Sequence, residues 1–100
     1  MKLKYPHSHT KIELYEIFDS YFDSITERKM EQGVIENAEK SWNDTKDVMD
    51  VTIYAMGSCR NAQLTIDNEK LTIKAKMPAI TMPFIPRLKR EIIKTLEELL

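Results

Sequence analysis

The chain has 100 residues, of which Leu, Ile, Val and Phe make up 25, so it carries enough large apolar side chains to fold around one small core. We expect a single domain that spans residues 1–100. Fifteen basic and sixteen acidic residues give a net charge of −1, which argues against a dedicated nucleic-acid binder with its strongly basic surface.

The charges are unevenly distributed along the chain. Residues 10–27 hold five acids and one base, whereas residues 70–94 hold seven bases and one acid. No apolar run approaches the roughly 20 residues that span a bilayer, and the N-terminus lacks the uncharged apolar run of a secretory signal. We therefore expect a cytoplasmic protein without a transmembrane segment, and with an acidic and a basic end.

The first elements are a short strand and a long helix. Charged and apolar side chains alternate over residues 2–5, as in a strand that Pro6 ends. Apolar residues then recur at helical spacing, with acids on the opposite arc, which predicts an amphipathic helix of about six turns. Thr10 and Glu13 have the spacing of a capping box, and Gly33 is the predicted stop.

From residue 34 to 77 the apolar residues recur with a period of two, which is typical of strands. Residues 33–42 are a weak strand candidate, and the "NDTKD" run after them predicts a turn. Three further strands alternate apolar with polar side chains, and "DNE" marks a hairpin between the last two. The apolar series are Met49, Val51, Ile53, Ala55; Ala62, Leu64, Ile66; and Leu71, Ile73, Ala75, Met77.

The last segment, from residue 84 onward, is predicted to be helical, and Pro86 is acceptable in a first turn. A meander with one apolar face and two helices with one apolar side each can pack in two layers. The predicted fold class is therefore α+β. It is a two-layer sandwich in which two helices cover one face of an antiparallel four- to five-stranded sheet, in the order β-α-β-β-β-β-α.

The sequence offers little for catalysis. His7 and His9 could ligate a metal from an extended segment, but no third ligand stands at a supporting spacing, so polar surface histidines are the simpler interpretation. Cys59 lies in "GSCRN", a predicted turn between strands, beside Arg60. No base can be placed next to it, so a plain turn or strand-start cysteine is the simpler interpretation. Two glycines leave no phosphate-binding loop. We expect no enzyme, no metal and no cofactor.

A basic cluster precedes and opens the last helix. It consists of Lys74, Lys76, Arg87, Lys89 and Arg90. The basic residues in the first turns, with Glu97 and Glu98 in the last, run against the helix dipole. The cluster predicts a site for an anion or an acidic partner. The simpler alternative is that Arg87 pairs with Glu91 one turn on and the other side chains are solvated.

The run "MPAITMPFIP", residues 77–86, has three of the four prolines and no charge. The prolines stiffen the connection into the helix, and Pro78 is predicted to end the last strand. The apolar side chains are either tucked under the helix, the more common outcome, or exposed for binding. In the second case they form an apolar edge, which we define as Ile80, Met82 and Phe84.

Several stretches together resemble a known family. They are "HSHTKIELYEIF", "SWND" before an apolar alternating strand, "AQLTIDNEKLTIKAKMP" and "MPFIPRLKREI". In this order they resemble the small bacterial proteins of the polyhydroxyalkanoic acid system, or granule-region, family. The family often has glycine where this chain has Asn43 and, near the third strand, Asn61 or Ala62. The resemblance implies a non-enzymatic accessory protein associated with polyester storage granules or with their coat proteins.

Three functions are open at this point. The first is an interaction module that uses the apolar edge and the basic cluster to contact a hydrophobic granule or its proteins. The second is a structural homodimer in which the basic end meets the acidic helix face of its mate. The third is a small-ligand pocket between helix and sheet, for which the architecture is the argument.

Overall fold

Five strands form one antiparallel sheet in the order β1-β5-β4-β3-β2. This computed structural model describes residues 1–77 and 79–100, and for residues 79 and 80 it describes the backbone alone. The predicted α+β class and element order are confirmed. The elements are β1 (Lys2–Pro6), α1 (Lys11–Glu31), β2 (Asn37–Trp42), β3 (Val48–Ala55), β4 (Ser58–Ile66), β5 (Lys70–Ala75), a 3-10 helix (Ala79–Phe84) and α2 (Ile85–Leu99).

The alternation of side chains along the strands gives the sheet one covered and one open face. Leu64 on β4 lies opposite Met49 on β3 and Ile73 on β5, and all three face the helices. The residues between them point the other way, so that Asp50 and Lys74 are exposed on the open face. Both helices therefore pack on the same side of the sheet.

The core lies between the covered face and the two helices. Large apolar side chains gain roughly 1.5–3 kcal/mol each when they are fully buried, so this layer carries most of the favourable free energy of folding. α1 and the strands supply most of its members, and α2 supplies one buried residue. The buried residues of this cluster are Leu14, Phe18, Met49, Val51, Leu64, Ile66, Leu71 and Leu96.

α1 begins and ends where its sequence signals predict. The Oγ1 atom of Thr10 accepts a hydrogen bond from the Glu13 N–H at 3.2 Å, which caps the first turn. Past the last turn, Gly33 adopts a left-handed φ of 73°. Val34 N–H then donates to the Lys29 carbonyl at 3.0 Å, which closes a Schellman motif. None of the helices in the described residues is both long and apolar enough to cross a membrane.

The structure differs from the sequence predictions in two places. Residues 79–84 form a 3-10 helix rather than an open connection, and Pro83 fits inside it because the φ that proline imposes suits that helix. The turn predicted at "GSCRN" consists instead of Met56 and Gly57, so that Cys59 is a strand-start cysteine on β4, one of the two places predicted for it. The predicted role of Pro78 as a strand terminator lies outside the described residues.

Candidate functional site

The candidate site lies at the junction between the 3-10 helix and α2. The 3-10 helix runs directly into α2, and Phe84 at the junction has helical backbone angles of φ −95° and ψ −7°. It makes no side-chain hydrogen bond to the helix N-terminus, where Ser, Thr, Asp or Asn would be favoured. The large apolar side chain of Phe84 thus occupies the N-cap position of α2 without capping the helix.

The apolar edge is exposed where the structure describes its side chains. Met82 is 60% and Phe84 is 64% exposed, so these two residues are not tucked under α2. Pro83 lies between them, and Pro86 follows in the first turn of α2, which limits how far this backbone can move. The side chain of Ile80 lies outside the described residues, and its place in the edge stays a prediction.

Three members of the basic cluster lie just beyond this edge on α2. Arg87 and Arg90 are exposed, and Lys89 is half-buried. The Arg87 Nε atom lies 3.4 Å from Glu91 Oε1, so the pairing of the simpler interpretation is present. Both side chains are largely exposed, and such a pair contributes at most about 1 kcal/mol to stability. Arg87 therefore remains accessible to a stronger anionic partner.

The other two members of the basic cluster lie on a different surface. Lys74 and Lys76 project from the open face of the sheet, where they line a shallow groove together with Lys2. Lys2 is the direct cross-strand neighbour of Lys74, an arrangement of like charges that disfavours pairing of the strands. The five predicted residues thus form two groups. Lys2 could have been found from the alternation of β1, which turns it to the same side as Lys74.

A polar network that the sequence analysis missed joins α1 to β2. Lys40 lies opposite Val51 in the register, which turns its side chain toward the helix layer. Its Nζ atom lies 2.6 Å from Asp19 Oδ1 and 2.7 Å from Asp23 Oδ1. Trp42 Nε1 donates to the same Asp19 oxygen at 3.0 Å, and its ring meets Tyr15 edge-on at 4.7 Å. The sequence contained one signal of this network, since Asp19 and Asp23 stand four residues apart on α1 and can pair with the same cation.

This network shifts the pKa values of its charged groups. The hydrogen bond from Lys40 lowers the pKa of Asp19 below its usual 3.8, with a smaller contribution from Trp42, and partial burial opposes the shift. For Lys40, burial lowers the pKa, but the hydrogen bonds to Asp19 and Asp23 outweigh it and raise the pKa above 10.5. Both groups are therefore charged at neutral pH, and the network serves to fix α1 on the edge strand.

The remaining polar candidates have structural partners. His7 Nε2 lies 2.6 Å from the Asp67 carbonyl, and His7 Nδ1 accepts the His9 N–H at 3.1 Å. His9 lies 3.2 Å from Glu13, whose pKa this hydrogen bond lowers. In residues 1–77 and 79–100, no three His, Cys, Asp or Glu side chains converge as a metal site would require. Cys59 is exposed on β4, opposite Tyr54.

The chain matches no family model, no curated protein and no solved structure. The resemblance to the polyhydroxyalkanoic acid system family therefore stays a prediction.

Proposed function

We propose that this protein is a non-enzymatic binding module that docks on an apolar surface through Met82 and Phe84, with Arg87 and Arg90 donating hydrogen bonds to oxygen acceptors beside them. The observation that supports this most is the 64% exposure of Phe84 at a helix junction that needs no aromatic residue. Phenylalanine is among the residues most often buried, so its exposure at a stiff turn calls for an explanation. Contact with a partner provides one.

The expected strength of this contact is modest. Full burial of a Met or Phe side chain gains roughly 1.5–3 kcal/mol, and each of these two is about three-fifths exposed. Covering both therefore gains about 2–4 kcal/mol, which for one molecule in solution corresponds to millimolar affinity at best. A surface that offers many equivalent sites, or added contacts from Arg87 and Arg90, is needed for stable docking. An extended polymer surface meets that requirement.

We propose the surface of a polyester storage granule, or of the proteins that coat it, as this partner. The resemblance to the granule-region family motivates the choice, and the exposed apolar pair beside cationic side chains supports it. A polyester presents alkyl groups and ester carbonyls, which suit Met82 and Phe84 on one side and arginine donors on the other.

A second candidate function is a structural homodimer, and the exposed charges of α1 favour it. Glu16, Asp23 and Glu27 are exposed on this helix, and Arg87 and Arg90 are exposed on α2. Such complementary surfaces on one chain could pair between two copies. The pairing would weaken as added salt screens exposed charges, whereas apolar docking would not.

The test is co-sedimentation of the protein with polyhydroxybutyrate particles at low and high salt, beside a variant that carries Met82→Ser and Phe84→Ser. We expect the wild-type protein to sediment at both salt concentrations. The double variant should bind at least about 30-fold more weakly, because about 2 kcal/mol or more of apolar contact is lost.

The matched control carries Ile12→Ser and Val34→Ser, which removes two apolar side chains that are 72% and 53% exposed elsewhere. It should bind like the wild type. Equal loss of binding in both variants would show that exposed apolar area in general, and not this edge, holds the particle. Failure of every protein to sediment, with salt-sensitive dimers in sedimentation equilibrium, would overturn the proposal in favour of the homodimer.

A further inference from the structure

A groove of about 370 Å³ lies between the two helices and the covered face of the sheet. Its floor includes Leu64 and Ile73, one wall comes from α1 at Phe22, and the other comes from α2 at Leu88 and Ile92. Packed protein interiors leave few spaces larger than one water molecule, whereas small-molecule sites begin at roughly 300 Å³. In a chain of 100 residues, this space is large enough to require an explanation.

The chemistry of the lining restricts what the groove can hold. Its walls are aliphatic and aromatic, and the polar residues among the described lining are Tyr21, Gln63, Glu91 and Thr95. The side chain of Gln63 points to the open face, because Gln63 lies opposite Asp50 and Lys74 in the sheet. Gln63 already donates its amide to Asp50 at 2.9 Å, and the Thr95 hydroxyl donates to the Glu91 carbonyl at 3.0 Å. The one charged side chain in this set, Glu91, is already paired with Arg87 at 3.4 Å. No basic side chain stands among the described lining residues, so the desolvation of an anionic head group would find no compensation.

We propose that the groove binds a medium-length alkyl chain with an uncharged polar head, such as a hydroxyl or an ester. The groove is open to solvent on one side, so its volume holds at most about twelve methylene groups if each occupies about as much space as a water molecule, roughly 30 Å³. The walls supply apolar contact along the chain, and the Glu91 carboxylate can accept a hydrogen bond from a hydroxyl head. A free carboxylate at the same place would lose its hydration without gaining a basic partner from the described lining.

This site is separate from the docking of the proposed function. Leu88 is one helical turn beyond Phe84, but neither Met82 nor Phe84 lines the groove. Binding of a dissolved alkyl chain should therefore survive Met82→Ser with Phe84→Ser. The two proposals can fail independently, since one is measured with particles and the other with monomeric ligands.

The test is displacement of Nile red from the protein by straight-chain alkanols of about six to about fourteen carbons, each kept below its micelle or solubility limit. We expect the dissociation constant to fall about fourfold with each added methylene and to level off near twelve carbons, where the groove is full. Alkanoates of equal length should bind at least about tenfold more weakly than the alkanols. Affinity that keeps rising with length, or that favours the alkanoates, would overturn the proposal.

Two variants locate the site. Ala62 lines the groove from β4, and Ala62→Ile should fill part of it and weaken alkanol binding at least about tenfold. Ala38→Ile makes the same change on the same face of the sheet, at β2 and outside the groove, and should leave binding within about twofold. If Ala62→Ile does not fold, Thr95→Leu tests the opposite wall. Equal weakening by Ala38→Ile, or no effect of either groove variant, would contradict the assignment.

Discussion

Two phenylalanines show how differently one residue type is used in this chain. Phe18 is 6% exposed and belongs to the core, whereas Phe84 is 64% exposed at the start of α2. The side chain of Phe18 is held by neighbours on all sides, so its removal leaves a cavity. Phe84 contributes little to folding, and the free energy of burying its exposed surface can be gained on contact with a partner.

The first prediction compares these residues by substitution. Phe84→Ser should lower the free energy of unfolding by at most about 1 kcal/mol, because about two-thirds of the side chain is already in water. Phe18→Ala should lower it by about 3–5 kcal/mol, through lost burial and a cavity. Urea denaturation measures both. A loss near that of Phe18→Ala for the Phe84 variant would show that Phe84 is a structural residue.

The sequence could not distinguish these two roles with equal ease. Phe18 falls in the helical series of α1, whose amphipathic period fixes the side that it faces. Phe84 precedes a helix in a proline-rich run, where no period predicts direction, so the sequence left it either tucked or exposed. The high exposure of Met56 was not predicted either, for a related reason. It is 95% exposed at a left-handed φ of 54° in the β3–β4 turn, where glycine or asparagine is usual.

At the scale of elements, the attachment of α1 to β2 depends on more than apolar contact. β2 is an edge strand, and the Lys40 network gives it charged as well as aromatic contacts with the helix. Asp19 is about one-third exposed, so solvent screening limits what its ion pair with Lys40 adds to stability. The network matters chiefly because it fixes the position of α1 along the sheet.

The second prediction is a pH-dependent coupling between Asp19→Asn and Lys40→Met. The pKa of Asp19 is lowered by folding, so its stabilisation is present above its usual 3.8 and is lost as the pH falls through the lower folded value. The raised pKa of Lys40 works in the opposite direction, so its contribution is present below 10.5 and is lost above it. Around neutral pH both contributions are complete.

A double-mutant cycle measured by urea denaturation gives the coupling energy. We expect about 1 kcal/mol at pH 7, decreasing toward zero below pH 3.8, where Asp19 takes up its proton. The Asn side chain keeps an acceptor for Trp42 Nε1, so the cycle isolates the ion pair. Coupling that is unchanged in acid would mean that packing of the Lys40 stem, and not its charge, links the helix to the strand.

Elements were predictable where the period of the apolar residues was unambiguous. α1, β3, β5, α2 and the second half of β4 follow helical or alternating patterns. The first half of β4 does not alternate, and it was predicted as a turn. The 3-10 helix was not predictable, because its six residues contain no repeat and include Pro83. The Lys40 network was also missed, since the pattern of β2 was too weak to say which face Lys40 takes.

At the scale of the whole molecule, the two faces of the sheet separate the predicted basic cluster. β5 turns Lys74 to the open face, and Lys76, which follows the end of the strand, lines the same open-face groove. Arg87, Lys89 and Arg90 lie on a helix of the covered side. Nearness in sequence suggested one cluster. The five residues are separated because Lys74 and Lys76 lie on the open face, whereas α2 packs on the covered face. The proposed docking therefore uses basic residues of α2 and does not need Lys74 or Lys76.

Hydrogen exchange of the protein with and without polyhydroxybutyrate particles tests directly whether it docks through Met82 and Phe84. Docking through Met82 and Phe84 excludes water from the junction, so the amides of residues 81–90 should exchange at least about tenfold more slowly with particles present. Pro83 and Pro86 have no N–H and are not observed. The β3–β4 turn at Met56 and Gly57 should be unchanged, although Met56 is more exposed than Met82 or Phe84. Slower exchange at that turn or on the open face of the sheet, with none at residues 81–90, would contradict the account.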